Sequence, residues 1–380
     1  MKRLLALVCA VFLALAAAPR ARAEGLEVSA KSAVLMDVAP GTVLYEKNAP
    51  EALAPASVTK VMTMLLIMEA IDSGALRYED TVTASEAAAA KGGSQIFLKA
   101  GEQMSVTEML KSIAVSSAND CACAMAEHLY GSEATFVDAM NTRAKELGME
   151  NTHFVNCTGL DDDENAKDHK TTAYDIALMS RELLTKHPSI KELTTIWMDT
   201  VRNGTFGLSN TNKLVRFYSG ATGLKTGFTA GAGYCLSASA QREGMELIAV
   251  VMGCESSQKR FAACKSMLDY GFANFALVQP EQPADAAVPV TLGKVPSVRV
   301  TLSGANAMLI DKAQKNTVTS EISLEPQVEA PVSKGQRLGT LTLKSGQQIL
   351  AQVPLVAQDA VAKLTWGEVF WRTLKTLFMA

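Results

Sequence analysis

Histidine is scarce, and the four present (His128, His153, His169 and His187) stand in no motif of the Ser-His-Asp kind. A histidine-driven hydrolase is therefore not expected, and surface or structural roles are assigned to all four. Cysteines in metal-binding array are missing as well: Cys121, Cys123, Cys157, Cys235, Cys254 and Cys264 are scattered without a zinc-type spacing. No metal and no cofactor are expected. Several of these thiols lie in apolar strings such as residues 121–125, where a cysteine serves as a small hydrophobe, so buried free thiols are the expectation. Charge of one sign is also lacking. A formal net charge of −3 offers no basic surface for phosphates and excludes nucleic acid as a partner. Apolar runs long enough for a membrane span, roughly 20 residues, are absent too. The longest, residues 4–18, is short for that purpose.

That run has the context of an export signal. Lys2 and Arg3 precede it, and Ala21-Arg22-Ala23 follows as a small-x-small cleavage site. Residues 1–23 are read as a signal peptide, with the mature chain beginning at Glu24 and acting outside the cytoplasm. The chain is 48% hydrophobic and 20% charged, a globular composition, and its length suits two domains.

Residues 33–36 and 43–45 flank a Pro40-Gly41 turn and read as a hairpin. Residues 58–71 are rich in Met, Leu and Ile without Gly or Pro, which predicts a buried helix. Further helices are expected over 106–115, 121–129 and 133–147, the last capped by Ser132 and stopped by Gly148. Strand patterns return at 234–240 and 247–252 around an Arg242-Glu243-Gly244 turn. Helices enclosed between early and late strands predict an α+β domain with a mainly antiparallel sheet, residues 24–278. A Pro, Ala, Glu and Asp stretch from Gln279 to Ala287 reads as a linker. Short alternating runs beyond it (298–302, 339–343) predict a small all-β domain, residues 279–357. Residues 358–380 place Leu364, Phe370, Trp371, Leu374, Leu377 and Phe378 mostly at three- and four-residue steps, with Lys363, Arg372 and Lys375 between. This predicts an amphipathic helix lying on a membrane surface, although a helix docked on its own domain has the same pattern.

The chemistry begins at Ser57-Val58-Thr59-Lys60. Residues three apart share a helix face, so the Lys60 amine can reach the Ser57 hydroxyl. A serine needs a base to become a nucleophile, and a lysine serves once burial and neighbouring positive charge make its amine neutral. The spacing alone is weak, since Ser256-Ser257-Gln258-Lys259 has it too. Ser117-Ala118-Asn119 and Lys225-Thr226-Gly227 follow, in the order that serine acyl-transferases of this kind use. Ser117 can relay a proton to a leaving amine, and Asn119 can orient Lys60 and bond a substrate amide. Lys225 and Thr226 offer a cation and a hydroxyl to a substrate carboxylate. Gly227 lets a substrate backbone approach the strand. The backbone N–H groups of Ser57 and Phe228 are the candidate oxyanion hole.

Pro55-Ala56-Ser57-Val58-Thr59-Lys60, Ser117-Ala118-Asn119-Asp120, Asn156-Cys157-Thr158-Gly159-Leu160 and Gly223-Leu224-Lys225-Thr226-Gly227-Phe228-Thr229 resemble the low-molecular-mass penicillin-binding proteins, the serine-type D-alanyl-D-alanine carboxypeptidases. The resemblance runs from about residue 30 to 275, and the β domain and amphipathic tail are similar to that family's C-terminal half. It implies a β-lactamase/transpeptidase-like fold and acylation of Ser57 by a peptidoglycan stem pentapeptide. It further implies release of the terminal D-alanine and covalent inhibition by β-lactam antibiotics. Cys157 and Thr222 stand where the family often has Pro and Asp. Three rivals share the motifs: a D,D-endopeptidase, a class A β-lactamase using Glu164-Asn165 for deacylation, and a sensor that stays acylated.

Overall fold

The computed structural model describes residues 26–161, 164–304 and 307–379. The segment read as a signal peptide lies outside them. The chain divides into two compact units between Ala273 and Asn274.

In the first unit, strands β1 (Ser32–Asp37) and β2 (Val43–Lys47) form the expected hairpin, its turn closed by Gly41 at φ +75°. Helices α1 (Lys60–Asp72), α2 (Val106–Ser116), α3 (Asn119–Tyr130), α4 (Glu133–Glu146) and α5 (Ala173–Lys186) follow. Strands β3 (Ala221–Thr229), β4 (Gly233–Arg242) and β5 (Met245–Cys254) come next, then helix α6 (Ser257–Asn274). The five strands make one antiparallel sheet in the order β2-β1-β5-β4-β3. β1 is buried along its whole length and β5 nearly so, because both faces of the sheet are covered. Strand alternation sorts their side chains. Val34, Met36, Ile248, Val250 and Met252 join the helical core of α1 to α5. Leu35 and Leu247 face α6, which closes on them through Gly271. A Cβ there would come within 2.4 Å of Leu247 Cδ1.

α1 is apolar on every side, and all residues from Lys60 to Met68 are buried, as suits a helix at the centre of a core. The lysine is therefore carried into the interior by its neighbours. α2 starts at Ser105, whose hydroxyl accepts from the Glu108 N–H, and ends at Ser117 in the left-handed region, φ +64°. α3 begins two residues later. Ser132 caps α4 as expected.

The second unit holds strands β6 (Phe275–Val278), β7 (Ala287–Thr291), β8 (Ser297–Leu302), β9 (Met308–Asp311), β10 (Val318–Leu324), β11 (Val328–Glu329), β12 (Arg337–Ser345) and β13 (Gln348–Ala357). Six form a sheet in the order β10-β12-β13-β8-β7-β11, and β6 pairs with β9. Val288, Val290, Val298, Val300, Leu341, Leu343, Val353 and Leu355 form its core, again at alternate positions. The pairing of β6 with β9 places residues 275–278 in the second unit, although the composition change at 279 suggested a later boundary. Helix α7 (Trp366–Met379) ends the chain. Its start is a capping box, with the Thr365 N–H donating to the Glu368 carboxylate and the Thr365 hydroxyl accepting from the Glu368 N–H.

Candidate active site

Ser57 stands in a single 3-10 turn, Ala56–Thr59, directly before α1, so the α-helix proper opens at Lys60 and not at Ser57. Ala56 holds φ +48°, a strained conformation for a residue with a side chain. Lys60 Nζ lies 2.9 Å from Ser57 Oγ and donates to the Thr158 carbonyl at 2.8 Å. Burial lowers the amine from its ordinary value near 10.5 to about 7, against the opposing pull of Cys157 and Asp120. An amine at that value is about half unprotonated at pH 7, and that fraction can take a proton.

Thr158 belongs to a strap whose shape is set by Asn156. The Asn156 Oδ1 accepts from the Gly159 N–H at 2.7 Å and the Thr158 N–H at 3.2 Å, an Asx turn. Gly159, at φ +81°, permits the strap to touch the nucleophile turn; a Cβ there would fall 1.9 Å from the Ala56 carbonyl oxygen. Cys157, in the position where proline was expected from the resemblance, donates its backbone N–H to Glu133 Oε1 at 3.2 Å, and its thiol lies 3.1 Å from the same oxygen. A proline has no such donor. Glu133 is also paired with Lys91 at 2.6 Å. Of the seven cysteines, the six among the described residues are buried and free.

The junction of α2 and α3 delivers Ser117 and Asn119. The Ser117 hydroxyl and Asn119 Oδ1 are buried and make no hydrogen bond among the described residues. The Asn119 Nδ2 donates to the Gly92 carbonyl at 2.7 Å. The amine of Lys60 is therefore oriented by the Thr158 carbonyl, and the expected contact with the Asn119 amide is not formed. Asp120 accepts from the N–H groups of Ile96 and Leu98 and so fixes the loop that flanks Asn119.

β3 carries Lys225, Thr226, Gly227 and Phe228 as an edge strand of its sheet. Lys225 Nζ donates to the Thr226 carbonyl at 2.9 Å, and the Thr226 hydroxyl donates to Thr211 Oγ1 at 2.7 Å. Burial, then the charges of Lys60 and Arg260, push the Lys225 amine well below its ordinary value. Gly227 has a reason of its own beside the one expected. A Cβ there would meet the Pro55 carbonyl oxygen at 2.6 Å and the Ser57 nitrogen at 3.1 Å, so its bare backbone admits the nucleophile turn. This also places the Ser57 N–H beside the strand position that precedes Phe228. Thr222, where the family often has Asp, lies with its hydroxyl 2.9 Å from Glu246 Oε1. Glu246 also accepts from Lys191 at 2.6 Å, so β5 provides the carboxylate.

Two residues near the site carry no motif. Arg260, on α6, is buried and donates to the carbonyls of Gly227 at 2.9 Å and Cys235 at 3.3 Å. It follows directly on the decoy Ser256-Ser257-Gln258-Lys259, which forms an exposed helix start with the Ser256 hydroxyl accepting from the Lys259 N–H. His169 is buried and bonded to Thr59. The side chains of Glu164 and Asn165 lie outside the described residues. No cluster of metal-ligating side chains occurs among the described residues.

This arrangement joins a serine, a buried lysine, a second serine and an asparagine at a helix junction, and an edge strand bearing Lys-Thr-Gly. Residues 17–256 match the family described as D-alanyl-D-alanine carboxypeptidase, and residues 272–363 match the C-terminal domain of penicillin-binding protein 5. The chain belongs to the D-alanyl-D-alanine carboxypeptidase family. The D-alanyl-D-alanine carboxypeptidase DacF of Bacillus subtilis (strain 168) is 44% identical over 387 residues, covering 98% of each chain. Penicillin binding protein 5 from Haemophilus influenzae superposes with a TM-score of 0.76 at 29% identity, over 89% of this chain and 98% of that one. Penicillin-binding protein D2 from Listeria monocytogenes, solved with ampicillin bound, gives 0.57 at 33% identity, over 65% of this chain and 99% of that one. The enzyme is a serine-type carboxypeptidase with a transpeptidase-like catalytic unit and a C-terminal all-β domain, as the motifs implied.

Proposed function

We propose that this carboxypeptidase removes the terminal D-alanine of peptidoglycan stem pentapeptides through an acyl-enzyme on Ser57, outside the cytoplasm. The observation that carries the reading is the buried Lys60 amine, held at about 7 and 2.9 Å from Ser57 Oγ. Because Nζ donates to the Thr158 carbonyl, its lone pair is free for the Ser57 proton. Oγ then bonds to the carbonyl carbon of the penultimate D-alanine. The resulting oxyanion accepts from the Ser57 and Phe228 N–H groups. Collapse breaks the C–N bond. The Ser117 hydroxyl passes its proton to the departing amine as it takes the Ser57 proton over from Lys60, and D-alanine leaves. Water, losing its proton to Lys60, then splits the ester, and Lys60 returns that proton to Ser57 Oγ.

Binding follows from charge. Lys225, Thr226 and Arg260, two cations and a hydroxyl on or against β3, are the groups offered to the substrate's terminal carboxylate, and Asn119 Oδ1, without a partner of its own among the described residues, is offered to a substrate amide. The open edge of β3 lets the peptide backbone lie along it as an added strand. A β-lactam presents a carbonyl and a carboxylate to the same groups, so penicillins acylate Ser57. The leader 1–23 supports export. Trp366, Phe370, Trp371 and Phe378, all largely exposed on α7, support attachment to a membrane surface; no helix among the described residues is long and apolar enough to cross a membrane.

Mature protein whose mass begins at Glu24 should release D-alanine from a peptide ending in Lys-D-Ala-D-Ala, and Ser57→Ala should not. Covalent binding of a labelled penicillin at Ser57 without D-alanine release would favour an endopeptidase or a sensor.

A further inference from the structure

The nucleophile turn is held by a chain of hydrogen bonds that leads out of its own motif to His169 and Val155. Thr59 donates its hydroxyl proton to the Ala56 carbonyl at 2.8 Å. Its oxygen must then accept in its other bond, the 2.7 Å contact with His169 Nε2, so Nε2 carries the ring proton. On the far side of the ring, His169 Nδ1 accepts from the Val155 N–H at 3.1 Å. All three bonds point the same way, from the strap to the turn. They are compatible only with the neutral imidazole, since an imidazolium has no lone pair for Val155. Burial, then His153 and Lys60, keep the ring neutral by lowering it from its ordinary value near 6.5 to about 4. The ring is also packed edge-on against Phe154 at 5.7 Å, and the His169 backbone N–H donates to the Ala166 carbonyl.

We propose that His169 is a positioning residue for acylation: through Thr59 it locks the left-handed Ala56 turn onto the strap, and so fixes Ser57 Oγ against the Lys60 amine. The link is geometric. The turn carries Ser57, while the strap runs on from Val155 to Thr158, whose carbonyl holds Lys60 Nζ. A clamp between the two sets the spacing of nucleophile and base. Ala56 would otherwise relax from φ +48°, a conformation that persists only where its surroundings hold it. His169 touches neither Ser57 nor Lys60 through a hydrogen bond, so it acts through Thr59.

The inference rests on Ser57 as nucleophile, and the test separates the two. The second-order acylation rate with a labelled penicillin is measured for wild type, His169→Leu, Thr59→Val and the double variant, together with melting temperatures. A wild type that is not acylated sinks the nucleophile and not the clamp. With wild type active, each single variant should be slower, on the order of 10²-fold for a displacement of about 1 Å, and the double variant no slower than the slower single one. On a peptide substrate kcat should fall with KM nearly unchanged. His169→Gln, whose amide N–H reaches the Nε2 position, should recover most of the rate. Wild-type rates in His169→Leu, losses that multiply in the double variant, or equal losses in the Leu and Gln variants would overturn the proposal. If His169→Leu does not fold, Thr59→Val and His169→Gln alone decide it: a slow Thr59→Val beside a near-wild-type His169→Gln supports the clamp, and any other pattern refutes it.

Discussion

Lys60, Lys225 and Arg260 are buried around Ser57, and the hydrogen bonds that hold them go to neutral oxygens. Burial holds all three below their ordinary values. Such a set is costly to fold and suited to a ligand that brings a carboxylate. For Lys60 the cost has a definite sign. Its folded value, about 7, lies below the unfolded one near 10.5. The unfolded chain therefore binds more protons between these limits, and stability rises with pH across them. At pH 7 and below nearly the full penalty applies, roughly 5 kcal/mol for a gap of that size, against about 1 kcal/mol for each hydrogen bond lost. Lys60→Met is thus expected to be inactive yet more stable than wild type at pH 7, with the difference shrinking towards pH 10. Chemical denaturation of both proteins at several pH values checks this; a variant less stable at pH 7 would contradict it.

At the scale of elements, the site is a set of junctions. A 3-10 turn feeds α1, a left-handed serine joins α2 to α3, and an edge strand presses a glycine against the turn. The exposed aromatics of α7 are a separate matter. Trp366 is 91% exposed and Phe378 83%, apolar surface that a membrane interface would bury, while Glu368 and Arg372 reach Lys294 and the Gly293 carbonyl of the β domain. If α7 lies in a membrane interface, the full chain should co-sediment with vesicles containing anionic lipid. Trp366→Ser, Phe370→Ser and Trp371→Ser combined should weaken that binding by about tenfold or more, given the apolar area removed. D-alanine release from a soluble peptide should be unchanged. Equal sedimentation of both proteins would rule the helix out as an anchor.

Across the whole molecule, what the sequence showed was what chemistry demands locally. Ser57 and Lys60 are three residues apart because one helical turn must bring them together, and an unbroken apolar run marked α1, as helical patterns marked α2, α3 and α4. What it hid depends on contacts distant in sequence. His169 meets Thr59 across 110 positions, and Arg260 reaches β3 from a helix whose first residues imitate the nucleophile motif. Glu246, from the next strand but one, brings a carboxylate to Thr222, where the family often has aspartate. The domain boundary moved because composition marks irregular chain, whereas β6 is assigned by its pairing with β9. The account turns on Lys60 as the base for Ser57, and kcat/KM reports the protonation of free enzyme. The most direct measurement is the second-order rate of Ser57 acylation by a labelled penicillin as a function of pH. It should rise with pH through a single deprotonation near 7, with the adduct mapped to the peptide containing Ser57. A rate flat from about pH 5 to 9, or an adduct on another residue, would contradict it.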